Sequence, residues 1–97
     1  MKANTFYVLV SVKTENGFEI FGKFNLGNSR RAAAAVFRRL KGSPDIDRKT
    51  MLTMELMETV NQLPVNLHII ACTLEELAYN CKIITMETFK LHNLERT

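Results

Sequence analysis

The chain has 97 residues, of which 46% are hydrophobic and 24% charged, and its net charge at pH 7 is +3. These values predict one soluble globular domain over residues 1–97, and they exclude a disordered chain and a chain that spans a membrane. Two cysteines do not form a disulfide framework in a chain of this length, so we expect a cytoplasmic protein with reduced thiols.

The charge is unevenly distributed along the chain. Residues 1–44 carry 8 basic and 2 acidic side chains, whereas residues 45–97 carry 5 basic and 8 acidic ones. Such asymmetry is compatible with an anionic partner or with head-to-tail self-association. The sequence shows no internal repeat, low-complexity tract or linker.

The first predicted elements are two strands joined by a hairpin. Residues 6–13 have apolar side chains on both faces, residues 14–17 end in the turn signal Asn-Gly, and residues 18–26 form the second strand. Gly22 interrupts the second strand and indicates a bulge or a close neighbour. We expect one face of this strand to carry Phe18, Ile20, Phe24 and Leu26.

The clearest predicted helix spans residues 28–42. Asn28 or Ser29 caps its start, four alanines follow, and Gly42 is placed to end it in the left-handed conformation. The basic residues fall outside the apolar arc and predict a surface for anions or nucleic-acid phosphates. A solvated helix face is the competing interpretation. The predicted binding residues, which we call the basic helix surface, are Asn28, Ser29, Arg30, Arg31, Arg38, Arg39 and Lys41.

The next segments leave one alternative open. Residues 50–60 fit a strand or a helix, and we favour a strand because residues 61–64 then form a turn into a further strand over residues 65–72. Thr73 and Glu76 form a capping box for a short second helix, which Asn80 is placed to end. A last strand is predicted over residues 82–91.

The predicted order is β-β-α-β-β-α-β, which indicates an α+β fold with a single, largely antiparallel sheet and both helices on one face. The last four strands with their helices spell the ferredoxin-like order. The hairpin of strand 1 conflicts with that arrangement, because strand 2 would need both of its edges for other partners. The strand order therefore stays open.

A sheet with both helices on one face leaves its second face uncovered. Large apolar patches are uncommon on soluble monomers, so the apolar residues of this second face predict a homodimer or another protein partner. A shift of one residue in the register of any strand would change which of its residues lie on this second face. The predicted interface residues are Tyr7, Leu9, Phe21, Met51, Met57, Ile70 and Met86.

No residues form a recognisable catalytic or cofactor site. His68, Cys72, Cys81 and His92 lack the close cysteine pair of compact zinc sites, so we expect no metal and no cofactor. Cys72 precedes a helix N-terminus, which would favour a reactive thiolate, but burial of the thiol is the simpler interpretation. We therefore predict a non-enzymatic interaction module that self-associates. Phosphate-backbone binding through residues 29–41, with Tyr7 and Phe21 as stacking platforms, is the alternative.

Overall fold

The computed structural model of the chain describes residues 4–95, with side chains described as far as residue 91. The fold is α+β, with a single four-stranded antiparallel sheet in the order β2-β1-β3-β4 and two helices. The elements are β1 (Thr5–Thr14), β2 (Gly17–Gly27), α1 (Arg30–Arg38), β3 (Leu52–Val60), β4 (Leu63–Ala71) and α2 (Leu74–Glu95). The segment predicted over residues 50–60 is thus a strand, as we favoured.

Two tight hairpins join the strands in pairs. In the first, the Thr14 hydroxyl donates to the Gly17 carbonyl oxygen and accepts from the Asn16 N–H, while Gly17 has a φ of +99°. In the second, Asn61 and Gln62 both have positive φ, at 51° and 69°. That pair of left-handed residues suits the right-handed twist of a two-residue hairpin, although neither residue is glycine.

The core lies between the sheet and both helices. β1 and β3 pair at the centre of the sheet, and their even-numbered residues point towards the helices. Both helices therefore lie on the same sheet face, as predicted. The core includes Val8, Val10, Met54 and Leu56 from the strands, and Ala33, Phe37, Leu77 and Ile84 from the helices.

α2 corrects the largest error of the sequence analysis. The capping box is confirmed, since Thr73 and Glu76 exchange side-chain-to-backbone hydrogen bonds of 2.9 and 3.1 Å. The helix then continues through the predicted strand 82–91 to Glu95. Leu77, Asn80 and Ile84 are all buried at helical spacing, so Asn80 does not end the helix. Without a final strand, the ferredoxin-like order is not confirmed.

α1 begins where predicted and ends early. The Ser29 hydroxyl accepts from the Ala32 N–H at 3.2 Å, and the helix ends at Arg38 rather than near Gly42. Gly42 is not in the left-handed conformation, because the glycines with positive φ in the described chain are Gly17 and Gly27.

Gly42 instead allows the chain to pass close to β4. A Cβ at this position would lie 2.8 Å from the Ala71 carbonyl oxygen and 2.9 Å from Cδ1 of Ile70. Next to it, Ser43 and Ala71 exchange two backbone hydrogen bonds of 2.8 and 2.7 Å. This isolated bridge occupies one end of the outer edge of β4.

The two hairpins are built in the same register. The turn-closing pairs Thr14–Gly17 and Val60–Leu63 are 46 residues apart (60 − 14), and a register shift follows both Val10 and Leu56, again 46 residues apart (56 − 10). Because β1 and β3 are antiparallel neighbours, an approximate two-fold axis normal to the sheet relates the hairpins of the two ββα units. The sequence contains no corresponding repeat.

Neither helix of the described chain is both long and apolar enough to cross a membrane.

Candidate functional site

The sheet face opposite the helices, which we call the open face, carries the odd-numbered residues of β1 and β3. Three predicted interface residues lie here: Tyr7 pairs with Met57, and Leu9 follows two residues along β1. Tyr7 and Met57 are only 9% and 8% exposed, yet they lie outside the core that packs against the helices. The structure therefore brings these three residues together on the face where they were predicted.

A bulge in β2 changes which residues share the open face. Leu9 pairs with Lys23, but Ser11 pairs with Ile20, so the intervening stretch of β2 has one residue more than β1. Side chains alternate along a strand, and an extra residue reverses that alternation beyond the bulge. Ile20 is thereby placed on the open face, on the same side as Lys23.

The predicted arrangement of β2 is therefore wrong. Phe24 and Leu26 pack against the core, whereas Phe18 and Ile20 lie on the other side of the sheet, because Phe18 pairs with Lys13 and Ile20 with Ser11. Phe21 lies at the bulge and is 65% exposed. Gly22 was the available signal, since an isolated glycine in a strand often marks a bulge.

Apolar residues gather at the hairpin end of the open face. The Lys13 N–H donates to the Met51 carbonyl oxygen at 2.8 Å, which places Met51 on one side of β1 and Phe18 on the other. Ile20 is 64% exposed and Met51 58% exposed. We call Phe18, Ile20 and Met51 the apolar end; Met51 is the member of this group that was predicted as an interface residue.

Two predicted interface residues lie elsewhere. Ile70 pairs with Met54 and packs against the core beside the helices, so the open-face position of β4 belongs to Ile69, opposite Glu55. Met86 lies on α2, because the strand predicted there is helical. The assignment of both residues to the second sheet face is therefore wrong.

Opposite charges flank the centre of the open face. Leu9 pairs with Lys23 on one side and with Glu55 on the other. Nζ of Lys23 lies 4.4 Å from the centre of the Tyr7 ring, and Oε2 of Glu55 accepts a 2.8 Å hydrogen bond from Asn66. This face thus has a cation and an anion separated by a single apolar residue.

Arg30 of the basic helix surface has an intramolecular partner. Its Nη2 lies 2.6 Å from Oε1 of Glu58, whose side chain is only 3% exposed, and Asn4 donates a 2.7 Å hydrogen bond to the other oxygen of that carboxylate. A buried carboxylate needs such partners. Arg30 therefore ties the start of α1 to β3.

Two further members of the basic helix surface are also engaged. Arg39 forms an ion pair with Glu87 of α2, and Nζ of Lys41 lies 4.2 Å from the centre of the Tyr79 ring. Asn28 is exposed beside the cap residue Ser29, whose hydroxyl is already bonded within α1. Arg31 and Arg38 are exposed and have no ion pair with any described residue.

Cys72 is a buried thiol. Burial raises its pKa to about 11, and the charge of Glu76 contributes to that increase. Its Sγ donates to the Lys41 carbonyl oxygen and accepts from Nδ2 of Asn80, both at 3.5 Å. Burial also raises the pKa of Cys81. Both thiols are protonated at neutral pH, so the structure favours the packing interpretation of Cys72.

No three His, Cys, Asp or Glu side chains among the described residues come close enough to hold a metal ion, and the His92 side chain lies outside the described residues. Comparison of the chain with protein-family models, curated proteins and solved structures finds no match. A proposal for its function therefore depends on the chemistry of its own surfaces.

Proposed function

We propose that this protein is a small non-enzymatic interaction module that self-associates through the open face. The observation that carries the proposal is the apolar end, where large apolar side chains lie exposed together on a sheet face that neither helix covers in the described chain. Full burial of one such side chain contributes about 1.5–3 kcal/mol, so a contact at this end provides a substantial driving force.

The test is a concentration series by size-exclusion chromatography with light scattering, comparing wild type with Ile20→Lys. Ile20 is 64% exposed on edge strand β2, so lysine is tolerated in the monomer but places a charge in the contact. The matched control is Leu63→Lys, because Leu63 is 67% exposed on the other edge strand, β4, at the opposite hairpin. We expect a wild-type dimer, a monomeric Ile20→Lys protein and a dimeric control.

A wild type that remains monomeric at high concentration contradicts the proposal, as does an Ile20→Lys protein that associates as wild type does. Circular dichroism of each variant checks that the sheet is intact, so a loss of association is not confused with unfolding.

Binding of a nucleic-acid phosphate backbone is a second candidate function, supported by the two arginines of α1 that lack an ion-pair partner among the described residues. Arg31 and Arg38 are seven residues apart, and at about 100° per residue they project from nearly the same side of the helix. Both face solvent, so two adjacent phosphate contacts are open to them.

Fluorescence anisotropy with a labelled single-stranded oligonucleotide tests this candidate at low and moderate salt. We expect Arg31→Ala with Arg38→Ala to abolish salt-sensitive binding and Arg48→Ala with Lys49→Ala, an equal loss of charge in an exposed loop, to retain it. Wild type that fails to bind at low salt contradicts the candidate, and so does a loss of binding that is equal in both variants.

A further inference from the structure

The residues of the open face form rows that cross β1 from β2 to β3. Tyr7, Leu9 and Ser11 of β1 each have one partner on β2 and one on β3. Leu9 lies between Lys23 and Glu55, and Ser11 lies between Ile20 and Thr53. Farther along the strand, Lys13 separates Phe18 from Met51, and Tyr7 separates Asn25 from Met57.

This pattern defines how a second copy can dock. Strands of face-packed sheets align within about 30°, so a two-fold axis in the interface can run along β1. Such an axis places β1 over β1 of the partner, and β2 over β3 of the partner. Each open-face residue of β2 then faces the β3 residue that pairs with the same residue of β1. Because the axis is two-fold, each of these contacts occurs twice.

The contacts around Leu9 and those of the apolar end are chemically complementary. Lys13 lies on the axis and faces Lys13 of the partner, and its Nζ donates to the Arg48 carbonyl oxygen at 2.9 Å within its own chain. Lys23 of each copy meets Glu55 of the other, and Leu9 meets Leu9 at the centre of the face. At the apolar end, Phe18 meets Met51. Without this pairing, each charge would be removed from water with only a neutral partner, Tyr7 for Lys23 and Asn66 for Glu55, which is unfavourable.

Other alignments lose the pairing of charges. An axis between β1 and β3 places Lys23 on Ile69 and Glu55 on Leu9 of the partner, because β2 then faces β4 and β1 faces β3. Both charges are then covered by apolar side chains. The unpaired charges act against that arrangement and specify the register.

We infer that the partner of the open face is a second copy of this chain, docked about a two-fold axis along β1 with Lys23 of each copy against Glu55 of the other. The inference rests on the proposed function and adds to it the alignment of the two copies and the ion pairs between them. It also makes a specific prediction about charge, because each copy supplies both the cation and the anion.

Charge reversal tests the inference. Lys23→Glu places two acids face to face at each pair, and Glu55→Lys places two bases there, so each variant alone has a dimer Kd raised at least about tenfold. In an equimolar mixture, the new glutamate of one chain meets the new lysine of the other, and the two unaltered side chains, Glu55 and Lys23, meet at the second pair. We expect the mixture to form a heterodimer with a Kd close to that of the wild-type dimer.

Lys82→Glu is the control, because it changes the net charge as Lys23→Glu does and lies exposed on α2. A fusion tag on one of the two variants gives the two chains different masses. Native mass spectrometry then distinguishes the heterodimer from residual homodimer. A double variant that carries both reversals is expected to dimerise with itself, because its pairs are restored with exchanged signs.

The outcomes separate this inference from the proposed function. If Ile20→Lys abolishes association but the charge variants associate normally and the mixture shows no preference for the heterodimer, the alignment along β1 is wrong and the open face remains the contact. If Ile20→Lys leaves association unchanged, the proposed function fails, and the inference fails with it.

Discussion

Asn80 joins α2 to the segment that follows α1 through both halves of its side-chain amide. Oδ1 accepts from the Lys41 N–H at 2.7 Å, and Nδ2 donates to the Lys41 carbonyl oxygen at 2.8 Å. Asn80 is completely buried, and Nδ2 also approaches the sulfur of Met54 at 3.4 Å. The side-chain amide of Asn80 thus provides hydrogen-bond partners for the N–H and carbonyl groups of Lys41, which lies outside the strands of the sheet.

We predict that Asn80→Ala lowers the free energy of unfolding by about 2–3 kcal/mol, because both hydrogen bonds to Lys41 are lost: the Lys41 N–H loses its side-chain partner and the Lys41 carbonyl oxygen keeps only the weak bond from the Cys72 thiol. Urea denaturation followed by circular dichroism measures the change. Asn66→Ala is the control, since Asn66 donates side-chain hydrogen bonds at an exposed position and its loss costs well under about 1 kcal/mol. Equal effects of the two substitutions would contradict this role of Asn80.

Asn80 also shows why the conformational preference of a single residue is not sufficient to predict the end of a helix. Asparagine tolerates the left-handed conformation and often ends helices, so its local preference predicts a stop. Its partner Lys41 is 39 residues away in the sequence. A pattern read over a few neighbouring residues cannot reveal a contact at that separation. The stripe of Leu77 and Ile84 was the available sign that the helix continues past it.

At the scale of elements, the connector after α1 and the strand β4 approach each other because residue 42 has no side chain. We predict that Gly42→Ala destabilises the protein by about 1–3 kcal/mol, since the new Cβ would lie 2.8 Å from the Ala71 carbonyl oxygen and the Ser43–Ala71 bridge would have to move. Thermal unfolding followed by circular dichroism measures the effect.

Gly22→Ala is the matched control for this substitution. The nearest atom to a Cβ at residue 22 is Cβ of Val10 at 3.6 Å, which is an ordinary contact, so the change in stability should stay within about 0.5 kcal/mol or be favourable. If both glycines tolerate alanine equally, the close approach of the connector to β4 does not constrain residue 42.

Elements with local signals were predicted well. The Ser29 cap, the Thr73–Glu76 capping box, the first hairpin and the alternation of β3 all depend on residues within a few positions of one another. A bulge was one of two alternatives predicted at Gly22, but its effect on the facing of the residues before it was missed, because the extra residue is defined against another strand. The open face was consequently predicted with Tyr7, Leu9 and Met57, but without Ile20, Lys23 or Glu55.

At the scale of the molecule, the uneven distribution of charge has a partly internal explanation. Arg30 and Arg39 belong to the basic first half of the chain, and their partners Glu58 and Glu87 belong to the acidic second half. The asymmetry that suggested an anionic partner therefore also holds the two halves of the fold together. Among the arginines of α1, Arg31 and Arg38 have no ion-pair partner in the part of the chain that the structure describes.

The matched registers of the two hairpins have a consequence for how the sheet can be assembled. The seam between the ββα units is the pairing of β1 with β3, and an approximate two-fold axis passes through it. A chain of half this length, paired with its own copy about that axis, would have every strand neighbour that this sheet has. One hairpin repeated about this axis would therefore be sufficient to form all the strand pairings of the sheet.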